Sequence, residues 1–418
     1  MDILEELQYR ECLFQTTEGV GDRLAKGPTN IYLGVDPTMP SMTIGNLIPV
    51  ISLRRLQLAG HHPIALVGGG TGLIGDPSGK DQERKLNPAE VVAQNTASLR
   101  TELGGLLDFE SGSNPASLVS NMDWLGEIKM IEFLRDVGKH FSIGYMLAKE
   151  SVSSRMETGI SYTEFSYMIF QAYDFLELFR RHKCEIQIGG SDQWGNITAG
   201  IELIRRELGE HAFGVTNALL VRSDGKKFGK SEKGAIFLNP TLTSPYQFYQ
   251  WFVNVLDADV VKFLKIFTFL EPDAIERLGK EVEAAPEKRE GQRVLAEEVT
   301  NFVHGQDASK RAIHISEALF YGNLGELSEQ EIEEGFSDVP SHTTTGGDDR
   351  GLIDLLVEAG VSSSKRQARE DIKSGAVSIN GEKRTDLDTS LSSADTLAGK
   401  FVVVRRGKRK YFLIRWER

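Results

Sequence analysis

The sequence predicts an α/β protein: a Rossmann-like domain on a parallel sheet over residues 1–240, an α-helical domain over 241–330, a linker over 331–350 and a small α+β domain over 351–418. Three observations lead there. Short β-rich runs alternate with helical patterns in the first half, apolar residues then recur at helical spacing, and a polar stretch precedes a basic tail. Strands alternating with helices imply a parallel sheet covered on both faces.

Taken in order, residues 31–35, 63–67 and 185–188 read as strands, and 44–58 and 193–208 as helices. Glycine-rich and polar clusters follow the strands, where open α/β sheets bind ligands. From Ser244 onward Phe248, Trp251, Phe252, Val255, Val260, Val261, Leu264 and Phe267 fall at helical spacings, which marks core. Ser, Thr, Gly and Asp dominate residues 336–349, the clearest part of the linker.

No run of about 18 apolar residues occurs, so no membrane span is expected. Cys12 and Cys184 lack metal-ligand spacing, which fits buried thiols in a reducing cytoplasm. The chain's net charge of −12 argues against a nucleic-acid partner until its distribution is considered. Residues 351–418 hold 14 Lys+Arg against 9 Asp+Glu, a net of +5, so the remainder carries −17. A basic module on an acidic body concentrates phosphate attraction in one place.

Residues 67–80 read VGGGTGLIGDPSGK, and Gly70, Gly72 and Gly75 satisfy the dinucleotide pattern G-x-G-x-x-G. The context excludes that use, because Asp76-Pro77 follows at once and interrupts any helix that would face a pyrophosphate. Nor is it a Walker A loop, since Asp81 stands where Ser or Thr is needed. The segment instead permits close backbone approach to a ligand, with Asp76 presenting a carboxylate.

Five ordered motifs carry a specific resemblance. They are YLGVDPTMPSMTIGNL from Tyr32, GTGLIGDPSGK from Gly70, YTEFSYMIFQAYDF from Tyr162, QIGGSDQWGNITAG from Gln187 and KFGKS from Lys227. The first and last are similar to the two signature regions of class I aminoacyl-tRNA synthetases. Together the set resembles the bacterial-type tyrosyl-tRNA synthetases over essentially the whole chain. That resemblance implies activation of L-tyrosine with ATP and its transfer to tRNA(Tyr), in a cytoplasmic homodimer. Mg²⁺ is expected with ATP, with no tightly bound metal.

The resemblance also implies roles. Lys227, Lys230 and Ser231, with Thr38, Thr43, Lys80 and Arg84, would hold the departing phosphates, where positioning and charge neutralisation do most of the catalysis. Tyr32 and Asp174 would bind the phenolic hydroxyl. Asp76, Tyr167 and Gln171 would take the α-ammonium, with Asp36, Asn121, Gln187 and Gln193 in support. Gly34, Gly45, Asn46, Gly190, Asp192 and Lys230 would line the ATP site. The spacing of Tyr167, Gln171 and Asp174 places all three on one helix face.

One motif departs from the family. Its His-x-Gly-His is here Thr43-Ile44-Gly45-Asn46. Asn46 offers one hydrogen bond as a neutral imidazole does, whereas Thr43 is shorter and carries no charge. Slowed adenylate formation with tyrosine binding intact is the expectation. A synthetase-derived RNA-binding or regulatory protein is the alternative, and a tryptophan-specific relative is disfavoured by Tyr32 and Asp174.

At the C-terminus SSSKRQAREDIKSGAVSINGE resembles an S4-type RNA-binding domain. Lys365, Arg369 and Lys373 recur every four residues with Arg366 beside them, and Arg405, Arg406, Lys408, Arg409 and Lys410 form a second run. Such cations suit the phosphates of folded RNA. Asn380-Gly381 between β-rich runs predicts a tight hairpin turn.

Overall fold

The computed structural model describes residues 1–79, 86–110, 112–156, 159–221, 223–225, 228–231, 234–345, 349–407 and 410–417. Lys80, Arg84, Lys227, Lys408 and Arg409, singled out above, lie outside the described residues, as do the side chains of Lys230 and Ser231. The chain divides into two compact units, 1–243 with 255–298, and 244–254 with 299–418.

The first unit is built on six strands: β1 (Leu13–Thr16), β2 (Asn30–Val35), β3 (His62–Val67), β4 (Ser117–Ser120), β5 (Cys184–Gly190) and β6 (Phe213–Asn217), in the order β1-β6-β5-β2-β3-β4. The five strands β2 to β6 run parallel, as predicted, while β1 is an antiparallel edge. Strand β3 is buried along five of its six residues, as expected of a strand covered on both faces.

Helices α1 (Leu47–Leu58), α2 (Ala89–Leu106), α3 (Tyr162–His182) and α4 (Trp194–Leu208) flank the sheet. Helix α1 begins three residues later than the pattern suggested. Residues 43–46 form a turn instead, in which Asn46 N–H donates to the Thr43 carbonyl and Thr43 bridges Phe237. The 21-residue α3 starts at Ser161, whose side chain accepts from Glu164 N–H, and stops at Lys183 in the left-handed conformation. No helix of at least 18 residues among the described residues is apolar enough to cross a membrane.

The helical region then runs through α5 (Pro245–Val253), α6 (Asp257–Phe267), α7 (Pro272–Ala284), α8 (Glu290–His304) and α9 (Gln306–Tyr321). The aromatic stripe is core at Phe248, Phe252 and Phe267, all fully buried. The region expected to be one domain over 241–330 is shared between the two units. Helix α6 belongs to the first because Arg10 and Arg55 donate to the carbonyls of Lys265, Ile266, Thr268 and Leu270 at its C-terminal end. Helix α5 belongs to the second, where Tyr246 N–H donates to Glu334 and Gln250 bonds Ser316 of α9.

In the second unit come α10 (Glu329–Gly335), β9 (Ser341–Thr345), β10 (Arg350–Gly351), α11 (Leu352–Glu358), α12 (Lys365–Lys373), β11 (Val377–Ile379), β12 (Glu382–Lys383), β13 (Ser390–Leu391), β14 (Phe401–Arg406) and β15 (Lys410–Glu417). Five strands form a sheet in the order β12-β11-β14-β15-β9. Val402, Val404, Ile414 and Trp416 share a core with Leu355 and Ile372 of α11 and α12, while the alternate residues Phe401, Val403 and Leu413 cluster with Ile315, Ile332 and Phe336. The stretch 331–350, read as a linker, contains β9, which pairs in parallel with β15. An edge strand of Ser, His and Thr is polar enough to look like a loop. The Asn380-Gly381 turn has both φ positive, at 50° and 91°, as a type I′ hairpin requires.

Candidate active site

A cavity of about 670 Å³ opens at the carboxyl ends of β2 and β5 in the first unit. Strand order reverses between these neighbours, the switch point at which open α/β sheets bind ligands. Fifteen of the predicted residues line it: Tyr32, Gly34, Asp36, Thr38, Thr43, Gly45, Asn46, Asp76, Tyr167, Gln171, Asp174, Gln187, Gly190, Asp192 and Gln193. Asn121 does not line the cavity and acts from behind its wall. It is fully buried, accepts from Gly70 N–H at 2.8 Å and donates to Thr71 and Asp174.

The deep end is formed by Tyr32 from β2 and Asp174 from α3. Asp174 is 1% exposed, and its two oxygens accept from Asn121 Nδ2 at 2.9 Å and Trp124 Nε1 at 2.7 Å. Burial pushes its carboxyl up to about 8, against the pull of those two donors and with the Asp36 charge adding to the rise. Tyr32 packs edge-on against Phe175 at 5.2 Å. Its buried hydroxyl has no partner among the described residues, and burial, then Asp174, holds its pKa well above the usual phenol value. A buried hydroxyl without a partner is costly, so a ligand hydroxyl meeting both groups is favoured there.

The middle of the cavity is an array of acceptors held in place by hydrogen bonds. Tyr167 O–H donates to Asp36 at 2.7 Å, and Thr71 O–H donates to the other Asp36 oxygen at 2.7 Å. Gly68 is dictated by this pair, because a Cβ there would collide with the Asp36 carboxylate and the Thr71 hydroxyl. Asp76 accepts from Gln193 Nε2 at 2.7 Å and Ser78 N–H at 2.9 Å. Asn196 is the hub, its amide nitrogen lying within 3.1 Å of both Gln171 Oε1 and Gln193 Oε1. With oxygens of Asp76, Gln171 and Tyr167 on the same wall, this zone suits a small cation such as an ammonium. Gln187 is 3% exposed and its Oε1 takes no donor among the described residues.

At the mouth the departing signature forms a closed turn. Asn46 Oδ1 accepts from both Thr43 N–H and Thr43 O–H, each at 2.9 Å. Asp192 meets Gln193 at 3.3 Å, and Leu219 and Val221 form an exposed apolar rim. Lys230-Ser231 pairs antiparallel with Gly234-Ala235. Trp124, Thr71 and Asn196 were missed by sequence reasoning. The signal was present: Trp124 and Asn196 each stand three residues, about one helical turn, after the recognised Asn121 and Gln193.

In the second unit Arg369 and Lys373 project from α12 to solvent, and Lys410 is exposed. Lys365 pairs with Asp354 at 2.7 Å and Arg366 with Glu370 at 3.3 Å. Arg406 turns inward to Asp371 and the Val361 carbonyl, and Arg405 is half-buried.

The family model for class I tRNA synthetases (W and Y) matches residues 24–321, and that for the tyrosine–tRNA ligase SYY-like C-terminal domain matches 331–414. The chain is 56% identical over 417 residues to a tyrosine–tRNA ligase of Bacillus velezensis, covering 99% of each. It is 57% identical over 419 residues to one of Geobacillus kaustophilus, covering both fully. Among solved structures, a C-terminally truncated mitochondrial tyrosyl-tRNA synthetase of Aspergillus nidulans aligns with a TM-score of 0.69 at 30% identity, over 76% of this chain and 94% of that one.

Proposed function

The chain belongs to the tyrosine–tRNA ligases, class I synthetases that activate tyrosine with ATP and charge tRNA, and from that premise we propose how its residues divide the work. Full-length similarity favours the enzyme over a synthetase-derived RNA-binding protein. The observation that carries the assignment of side chains is the Tyr32 hydroxyl, without a partner among the described residues, sharing a wall with Asp174.

Tyr32 and Asp174 bind the phenolic hydroxyl: Asp174 accepts a hydrogen bond from its O–H and Tyr32 donates to its oxygen. Phenylalanine leaves both buried groups unpaired. Discrimination of about 10⁵ without editing is already established for this same enzyme class, which is the standard example of the effect. Asp76, Tyr167 and Gln171 hold the ammonium, oriented by Asp36, Gln193 and Asn196. The tyrosine carboxylate oxygen then attacks the α-phosphorus of ATP, the bond to the bridging oxygen breaks, and pyrophosphate leaves. Thr38 at the mouth, with Lys80, Arg84, Lys227, Lys230 and Ser231 by family position, neutralises that leaving group. Gly34, Gly45, Asn46, Gly190 and Asp192 bound the adenosine. In the second step a terminal ribose hydroxyl of the tRNA attacks the acyl carbonyl and AMP departs.

Mg²⁺ would arrive on the ATP phosphates, since it commonly keeps water and phosphate ligands. The cavity carboxylates Asp36 and Asp76 are already engaged by hydrogen-bond donors, and no step here runs through the ion. We also propose a cytoplasmic homodimer. Large exposed apolar side chains gather in one stretch, with Met130 70%, Ile131 69%, Ile143 63% and Tyr162 74% exposed, which suits a second copy of the chain.

Tyrosine-dependent pyrophosphate exchange tests the reading, and Thr43→His tests the signature. The Thr43 hydroxyl is spent on Asn46 and contributes no cation. Restoring an imidazole raises kcat about tenfold or more, the worth of one hydrogen bond to a charged group, with the KM for tyrosine unchanged. A change confined to KM would refute it. The pH dependence follows from Asp174. A phenol O–H donated to it favours the carboxylate, so tyrosine binds the ionised form more tightly. Affinity therefore rises as the pH approaches about 8 from below, by up to about tenfold per unit, and levels off above about 8. Calorimetric titration across this range checks the slope, which Asp174→Asn abolishes.

A further inference from the structure

The cavity of the first unit holds one more bare acceptor, at the carboxyl end of β6. Asn217, the last residue of that strand, lines the cavity and is 1% exposed. Its Nδ2 donates to the Cys12 carbonyl and to the Ser52 hydroxyl of α1, both at 2.9 Å. A backbone carbonyl can only accept, so it fixes which end of the carboxamide faces it. Cys12 and Ser52 are buried behind the cavity wall. The amide nitrogen is therefore held from behind, and Oδ1 remains a buried acceptor with no donor among the described residues.

A buried acceptor left bare is costly, and its place in the sheet indicates what satisfies it. Asn217 stands in register with Gly190 of β5, at the end of the cavity assigned above to adenosine. Gln187 Oε1 is bare as well, but its register partner is Tyr32, at the tyrosine end. The nearby Asn46 Oδ1 is taken by Thr43. Ile48, Pro49 and Leu219 line the same cavity and offer apolar surface to the faces of a flat ring.

We propose that Asn217 is a specificity-determining residue for the nucleotide base, its Oδ1 accepting from the exocyclic amino group of adenine. The proposal deepens the reading that this cavity takes ATP, and it rests on that reading. Guanine carries a carbonyl oxygen where adenine carries the amino group. Two acceptors would then face each other with no proton between them, and GTP is refused. An uncharged acceptor suits the task, because the adenine amino group is an uncharged donor.

The test measures tyrosine-dependent pyrophosphate exchange by the full chain with ATP and with purine riboside triphosphate, which lacks only the amino group. On the unmodified chain the analogue has a kcat/KM about tenfold lower, the worth of one hydrogen bond to a buried acceptor, with the KM for tyrosine unchanged. Asn217→Leu brings the two nucleotides within twofold of each other. Asn217→Asp loses the same two donated bonds but keeps an acceptor, so it retains the preference for ATP. A residue that only braced the wall would lose that preference equally in both variants. An analogue as good as ATP on the unmodified chain overturns the proposal, whether or not either variant folds. So does a tenfold preference that survives in Asn217→Leu. If Asn217→Leu instead abolishes a handicap of 2′-deoxy-ATP, the acceptor serves the ribose and the base assignment falls. A chain that shows no exchange with ATP and tyrosine removes the underlying reading instead.

Discussion

Replacing Asp174 by alanine lowers kcat/KM for tyrosine in pyrophosphate exchange by about 10²-fold. The substitution strands the N–H donors of Asn121 and Trp124 in a buried wall and removes the acceptor for the substrate phenol. The stranded donors cost stability with or without substrate, whereas the phenol O–H left without its charged acceptor costs about 3 kcal/mol of binding, about two powers of ten. Because the phenol lies far from the reacting phosphorus, its contacts are alike in ground and transition states, and the loss falls mainly on KM. Steady-state exchange with tyrosine and with phenylalanine is the measurement. Tyrosine suffers the full loss and phenylalanine little, so the ratio between them collapses. Equal losses for both amino acids would mean that Asp174 supports the fold and not the choice of substrate. Tyr32→Phe, which deletes only the hydroxyl that meets the substrate phenol, moves the same ratio about tenfold.

Arg55→Leu destabilises the first unit by about 3–5 kcal/mol, the usual cost of breaking a buried charged network. The Arg55 side chain is 1% exposed, and its Nη2 serves the carbonyls of Lys265, Ile266 and Thr268 at 3.1, 2.9 and 2.7 Å. These are orphan acceptors at the end of α6, where a cation is also favoured by the helix dipole. Burial lowers its pKa to about 10, which still leaves it charged at neutral pH. Leucine fills much of the space and supplies no donor, while Arg10 covers Lys265 and Thr268 and leaves Ile266 bare. Urea unfolding monitored by tryptophan fluorescence reads the change. A loss below about 1 kcal/mol would show that water takes over the carbonyls.

Much of the site was legible because its residues act through side-chain chemistry that any environment preserves. Tyr167, Gln171 and Asp174 share a helix face by spacing, and that face does line the cavity. Trp124 was overlooked because an indole in Asn-Met-Asp-Trp-Leu reads as core, and it is core except for one N–H. Strand β9 escaped notice because Thr and Ser resemble a loop when, among the described side chains of the run, only Thr344 is buried. The split of the helical region was invisible because two arginines far away in sequence decide it.

Residue order alone determined the alternating fold, the set of polar groups available to a phenol, an ammonium and a nucleotide, and the basic character of the C-terminal unit. Hydrogen-bonding capacity and charge belong to side chains, so a linear reading recovers them. Tertiary structure decided which groups are satisfied internally and which are left for a ligand. Asn121 and Trp124 occupy Asp174, Asn46 occupies Thr43, and the Tyr32 hydroxyl receives nothing among the described residues. Asp174 and Asn121 stand 53 positions apart in sequence, and only the packing of α3 against the sheet brings them within 2.9 Å.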